Sequence, residues 1–535
     1  MLHSENRKSG KKGYCSLISL SVSVLLLIGC SAEITHKNRV ITVEAFSDMK
    51  TPAFVFSPQE IDANIKKLMA NDHSSTEADK QARSCYNGRL LWIDEYGVGE
   101  KADTMLYWLH TVGEIGLSEH SFGVEQIEKD LQRIRTLSFD DANPINLVAA
   151  RLDYLLTKAC LRYCYGQRFG FVNPHRVFNH LDVEKQDDSG RIVQYRGLFD
   201  VEMDLPTAQY AVDVLRKVAN DSLSALLYEI QPTDANYLYL KQQLSKDTSL
   251  AYRRRIVANM ERCRWRRHDP IATQGKRIIV NIPAFHLYAY NGGELLDMRV
   301  VCGARTTKSP QLTSKIEWME INPQWVIPPS IVSKEVSHRA GDSAYFARHR
   351  YDIVNNETRQ VVNPANVSRQ MLLSGKYRVA QKGGAGNSLG RIVFRFKNRY
   401  SVYLHDTSTP SAFQRDVRAL SHGCVRVSKP FELANFVLDN PDEWLLDRIR
   451  IGMGQQAQTD QGRQWLHADP DKDDLKKLIG YVGVKPHVPL YILYNTMWPD
   501  ENGVWREWPD VYGYDDVIWK QMQPYLQGVK TMNSY

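Results

Sequence analysis

The chain lacks a comfortable membrane span: its N-terminal apolar stretch, Leu17 to Ile28, is too short for one. Cysteine is scarce. The eight cysteines, at 15, 30, 85, 160, 164, 263, 302 and 424, trace no regular disulfide framework. Cys160 and Cys164 stand one helical turn apart with no further ligands at zinc-finger spacing, so core packing is expected of them and no metal site. Internal repeats and long low-complexity tracts are missing, which sets aside solenoid and fibrous architectures. A formal net charge of +7 is modest for 535 residues and partly belongs to the N-terminus. With no helix-turn-helix, zinc-finger or RNA-binding signature, it predicts no nucleic-acid partner.

What the N-terminus does have is an address. Arg7, Lys8, Lys11 and Lys12 precede the apolar stretch, which ends Leu27-Ile28-Gly29-Cys30-Ser31. This resembles a bacterial lipoprotein cleavage site. Residues 1–29 are then a signal peptide, Cys30 is the lipidated mature N-terminus, and 30–50 form a tether; an uncleaved signal anchor is the alternative. The residue after the cysteine is not aspartate, so the outer membrane is favoured over the inner. The body lies outside the cytoplasm.

The rest reads as an α+β multidomain chain, ample for a sizeable core. Residues 51–268 follow a helical pattern. Ser57-Pro58-Gln59-Glu60 has the form of a capping box with proline at the first helical position. Glu100–Ile115, Gly123–Leu137 and Ile145–Tyr165 carry apolar residues at three- and four-residue intervals. After Gln274-Gly275 the period shortens. Arg277–Pro283, Phe285–Tyr290, the turn Asn291-Gly292-Gly293 and Glu294–Val301 read as strands around a hairpin. Ile316–Ile321, Val393–Tyr403 and Val488–Tyr494 are further strand candidates, and Pro430–Asn440 reads as a helix. A β-rich mixed-sheet domain over 269–500 follows, with a C-terminal extension over 501–535. Gly383-Gly384-Ala385-Gly386 has no strand–Lys-Ser/Thr context for a phosphate loop and reads as a turn or hinge.

The chemistry concentrates at Tyr403-Leu404-His405-Asp406-Thr407 and, with fifteen residues between His405 and its first serine, at Ser421-His422-Gly423-Cys424-Val425-Arg426. A thiol nucleophile, a histidine to activate it and a glycine that lets backbone N–H groups turn toward an oxyanion are the parts of thiolate acyl transfer. Cys424 is the candidate nucleophile and His405 its base. Gly423 and Cys424 offer the oxyanion hole, with His422 either adding its backbone N–H or serving the structure of the turn. Arg426 can fork onto a substrate carboxylate or brace the loop. Zinc ligation by His405, His422 and Cys424 fails for want of a further ligand, and no cofactor is expected.

These residues resemble the signature of the L,D-transpeptidases with a YkuD-type catalytic domain. Val280-Asn-Ile-Pro, Asn322-Pro-Gln-Trp325, Asn387-Ser-Leu-Gly390-Arg, Val488-Pro-Leu-Tyr and Asn259-Met-Glu-Arg are similar to its large, scaffold-bearing branch. The resemblance implies a helical scaffold, a β-rich catalytic domain and a capping insertion over about 330–393. It also implies a backbone carbonyl, that of Asp406, orienting His405, and groove residues among Tyr403, Trp325 and Ser421. The implied reaction is 3→3 cross-linking of peptidoglycan stem peptides through a cysteinyl thioester, with carbapenems as covalent inhibitors. An L,D-carboxypeptidase, another periplasmic thiol amidase or an inactive wall-binding lipoprotein are the alternatives. The small peptidoglycan-binding module of many large members has no room between Asp234 and Asn259.

Overall fold

The computed structural model describes residues 55–526 apart from 87–88, 95–96, 247–248, 469–474 and 476; the expected signal peptide, Cys30 and the tether lie outside the described residues. Among those described, no helix is long and apolar enough to cross a membrane.

The N-terminal half is built on a central buried helix, Ile145–Phe169, against which Pro58–Asn71, Glu77–Ser84 and Val124–Thr136 pack. It is buried nearly all round, and charged residues on it, such as Arg151 and Arg162, are paired with Asp130 and Asp79. Cys160 and Cys164 lie side by side in its core, their sulfurs 4.0 Å apart. Ser57 caps the first helix by accepting from the Glu60 N–H. The reciprocal half of the box is replaced: the Ser57 N–H donates to Asn146 and Glu60 accepts from the Asn146 amide, tying the entry to the central helix.

The helical expectation to residue 268 needs one correction. Ile93–Asp94 pairs with Gly97–Val98, Val183–Gln186 and Ile192–Tyr195 form a hairpin, and Phe199–Asp200 pairs in parallel with the large sheet of the C-terminal half. A two-residue strand has too few positions to show a period.

Nine strands form the path of that sheet: β1 (Phe199–Asp200), β2 (Arg277–Asn281), β3 (His286–Asn291), β4 (Glu294–Gly303), β5 (Gln311–Ile321), β6 (Ile392–Phe396), β7 (Leu404–His405), β8 (Val425–Val427) and β9 (Tyr481–Leu493). The order is β6-β7-β8-β4-β3-β2-β9-β5-β1, and β6 also pairs with β5, so the sheet closes on itself like a barrel. The β3–β4 turn is Gly292-Gly293, with Gly292 at φ +59°, as a tight hairpin requires. The segment expected as one strand over 393–403 is two, interrupted near Asn398 and Ser401, the latter at φ +53°.

Between β5 and β6 the chain builds a separate cap. Trp325–Val326, Tyr351–Asn355, Val361–Val362 and Tyr377–Gln381 form a four-stranded sheet with short helices around its own core of Ile327, Phe346, Ile353, Leu372 and Val379. The two connections to the cap are clamped together. The buried Asn387 amide donates to the carbonyls of Pro323 and Lys382, and its oxygen accepts from Leu389 N–H.

Candidate active site

Strand parity brings the chemistry together. β7 and β8 run parallel with Leu404 opposite Val425 and His405 opposite Arg426. Leu404 and Val425 point into the core. Side chains alternate along a strand, so Tyr403, His405, Cys424 and Arg426 all emerge on the opposite face. Two short sequence segments thereby become one cluster.

The loop before the thiol is held from beneath. Gly423 sits at φ +119°, a conformation that favours glycine. Its carbonyl accepts from Ser309 Oγ at 2.7 Å, and Ser309 Oγ in turn accepts from the Gly303 N–H. Tyr512, far along the chain, donates its hydroxyl to the Gly303 carbonyl (2.7 Å) and accepts from the Ser309 N–H (3.1 Å). Ser421, expected among the groove residues, lies within this loop. It is buried, donates its hydroxyl to the Cys424 carbonyl at 2.5 Å and accepts from the Gly423 N–H at 3.1 Å, so its hydrogen bonds are spent inside the loop. The Gly423 N–H is therefore engaged too. The Cys424 N–H, by contrast, has no hydrogen-bond partner among the described residues.

Both reacting side chains are neutral at rest. Burial pushes the Cys424 thiol up to about 11, only partly offset by the Tyr403 backbone and by Arg395 and Arg426. Burial also brings His405 down to about 4, reinforced by the Arg426 charge; the carbonyls of Asp406 and Leu389 pull the other way. His405 Nδ1 finds no well-formed hydrogen bond. The Asp406 carboxylate is turned elsewhere and accepts from the Arg391 N–H at 2.8 Å. The side chain is thus occupied, while the carbonyl lies close enough to the ring to favour its protonation.

Arg426 is half-buried, with its Nε unpaired. Arg395, which sequence reasoning missed, enters from β6. Its guanidinium lies 4.1 Å from the centroid of the Tyr403 ring and forks onto Glu320 at 3.0 and 2.9 Å. No motif advertised it, because only the pairing of β6 with β5 places Arg395 beside Glu320. His422 points outward, its Nε2 3.0 Å from Glu335 of the cap. Trp325 pairs with Gln381 and packs on the cap core.

A barrel-like sheet carrying a cysteine and a histidine beneath a cap defines the class of protein. Residues 275–451 match the L,D-transpeptidase catalytic domain (YkuD), and residues 80–244 match a scaffold domain. A Haemophilus influenzae protein named "Putative L,D-transpeptidase" is 31% identical over 259 residues, 47% of this chain and 48% of that protein. This chain thus matches over about half the length of that relative. Mycobacterium tuberculosis L,D-transpeptidase 1 aligns at 12% identity over 41% of this chain and 61% of that one, with a TM-score of 0.14, too low to bear on the fold. Over those two stretches the chain is similar to a YkuD-type L,D-transpeptidase catalytic domain and to a scaffold domain that precedes it.

Proposed function

We propose that this protein is a peptidoglycan L,D-transpeptidase that forms 3→3 cross-links between stem peptides. The observation that supports it most is the shared face of His405 and Cys424 on paired strands, with an unpaired N–H at the nucleophile itself. Since both groups rest neutral, the thiol proton passes to His405 as sulfur attacks the amide between diaminopimelate and D-alanine of a donor tetrapeptide stem. The Cys424 N–H stabilises the oxyanion; the Gly423 N–H joins it if Ser421 yields. Collapse breaks the C–N bond, His405 returns the proton to the departing D-alanine, and a thioester remains. The side-chain amine of an acceptor diaminopimelate attacks that thioester, loses a proton to His405 and regenerates the thiol. Water in place of the amine makes the enzyme an L,D-carboxypeptidase. Asp406 orients His405 through its carbonyl, while Arg426 and Tyr403 border the donor.

The same reading divides the chain into a signal peptide (1–29), a tether (30–50), the scaffold (51–268), the catalytic domain (269–500, cap about 330–393) and an extension (501–535). A lipid on Cys30 anchors it, with the outer membrane favoured, and a carbapenem acylates Cys424.

The test is the muropeptide profile of sacculi incubated with the protein. Cys424→Ala should melt like the wild type and make no 3→3 dimers; dimers from that variant would exclude the mechanism. In intact-mass spectra the carbapenem adduct should appear on the wild type and vanish in Cys424→Ala.

A further inference from the structure

A second cleft, of about 420 Å³, opens in the scaffold between the loop at residues 73–76, the turn at 120–123, the central helix and Pro524. This is within the roughly 300–1,000 Å³ typical of small-ligand sites. Its inner side is lined by charge. Arg162 forks onto the fully buried Asp79 and also donates to the Ser121 carbonyl, and Lys158 lies 2.6 Å from Asp72. Asp79 further accepts from the N–H and hydroxyl of Thr76. Each cation is thus matched by a carboxylate at contact distance, and the cleft offers little net charge to a phosphate or carboxylate.

What remains uncommitted is a set of polar groups at the mouth. Ser75 and the rings of His73 and His120 stand exposed at the mouth with no hydrogen bond to other described residues. Lys158 spends one of its three N–H donors on Asp72. Beside them Leu155 and Ala159, on the same helix face as Lys158, and Pro524 add an apolar wall. A pyranose ring matches both, with hydroxyl and amide edges for the donors and acceptors and a C–H face for the wall.

We propose that this scaffold cleft binds a neutral amino-sugar oligosaccharide, the glycan part of the polymer whose stem peptides Cys424 processes. The saccharide assignment rests on the cleft alone; its place on the wall rests on the function proposed above. The site supplies the sacculus contact that a chain without a dedicated binding module needs.

The test is calorimetric titration of the full chain with the N-acetylglucosamine trimer, which carries no peptide. Saturable binding is expected, weakened at least tenfold in Ser75→Trp, which fills the mouth from an exposed position, and in His120→Ala, with melting temperatures unchanged. Cys424→Ala should bind like the wild type; a wild-type chain that bound the trimer yet made no cross-links would overturn the function proposed above and not this site. Failure of the wild type to bind, undiminished binding by a stably folded Ser75→Trp, or capture there of a sugar-free tetrapeptide in place of the trimer would overturn the proposal.

Discussion

At Cys424 the folded environment works against the thiolate. A thiol pushed up to about 11 beside an imidazole brought down to about 4 forms no resting ion pair, so reactivity waits for an electrophile seated over the Cys424 N–H. Iodoacetamide should therefore label Cys424 roughly ten- to a hundredfold more slowly than a free thiol at pH 8, with the rate climbing toward pH 11. Peptide mass spectrometry at Cys424 reads this; labelling at the free-thiol rate would exclude the neutral pair. His405 carries a stability consequence as well. Its folded value lies below its ordinary 6.5, so the unfolded chain binds more protons between about 4 and 6.5. Stability on this account is fully present above that window and lost as pH falls through it, by about 3 kcal/mol. His405→Gln, which takes no proton there, should flatten the acid limb of a urea-melt pH series; an unchanged limb would mean that His405 does not titrate in the folded state.

Among the elements, the connection from cap to β6 sets where Asp406, and with it His405, can sit. Gly390 has φ +67°, and a Cβ there would lie 2.4 Å from Asp406 Cγ. Gly390→Ala should cost about 1–3 kcal/mol in a urea melt and slow acylation of Cys424 by displacing Asp406. A variant that melts and acylates like the wild type would show that the contact constrains nothing. The same glycine was visible in the sequence only as part of a family-like segment; its reason is a long-range contact. The hairpin β3–β4 was legible because alternation and a Gly-Gly turn are local signals, and the His405/Cys424 pair because its residue types and spacing are. β1 was hidden by its shortness, and the cap, whose strands run only two to five residues, looked like loop. Arg395 and Tyr512 were hidden for another reason: each reaches the site through pairing or packing with segments distant in sequence, which no window along the chain contains.

Across the whole molecule, scaffold and barrel share one continuous hydrophobic core that runs from Ala78 to Leu526, whereas the cap has a core of its own. The joint is polar as well as apolar. Asn259 donates to Thr496 Oγ1 at 2.7 Å and accepts from the N–H groups of Thr496 and Met497; Thr496 donates to Asp515, which lies 2.7 Å from Arg262. The Asn-Met-Glu-Arg segment, family-like in sequence, is therefore the place where the helix Leu250–Arg264, the end of the barrel and the helix Tyr514–Gln521 are bonded together. Elements that share a core and a buried hydrogen-bond network open as one cooperative unit, and a satellite core opens separately. Native-state hydrogen exchange should accordingly show helix 145–169 and strands β2, β5 and β9 exchanging with a common opening free energy, and cap strand 377–381 with a lower one. Asn259→Ala leaves the Thr496 N–H and hydroxyl short of a partner inside the joint, a loss of about 1–3 kcal/mol. It should lower the common value and leave the cap's unchanged. If helix 145–169 and strand β9 instead exchanged with clearly different free energies in the wild type, scaffold and barrel would be independent bodies, and the shared core would be contact without cooperativity.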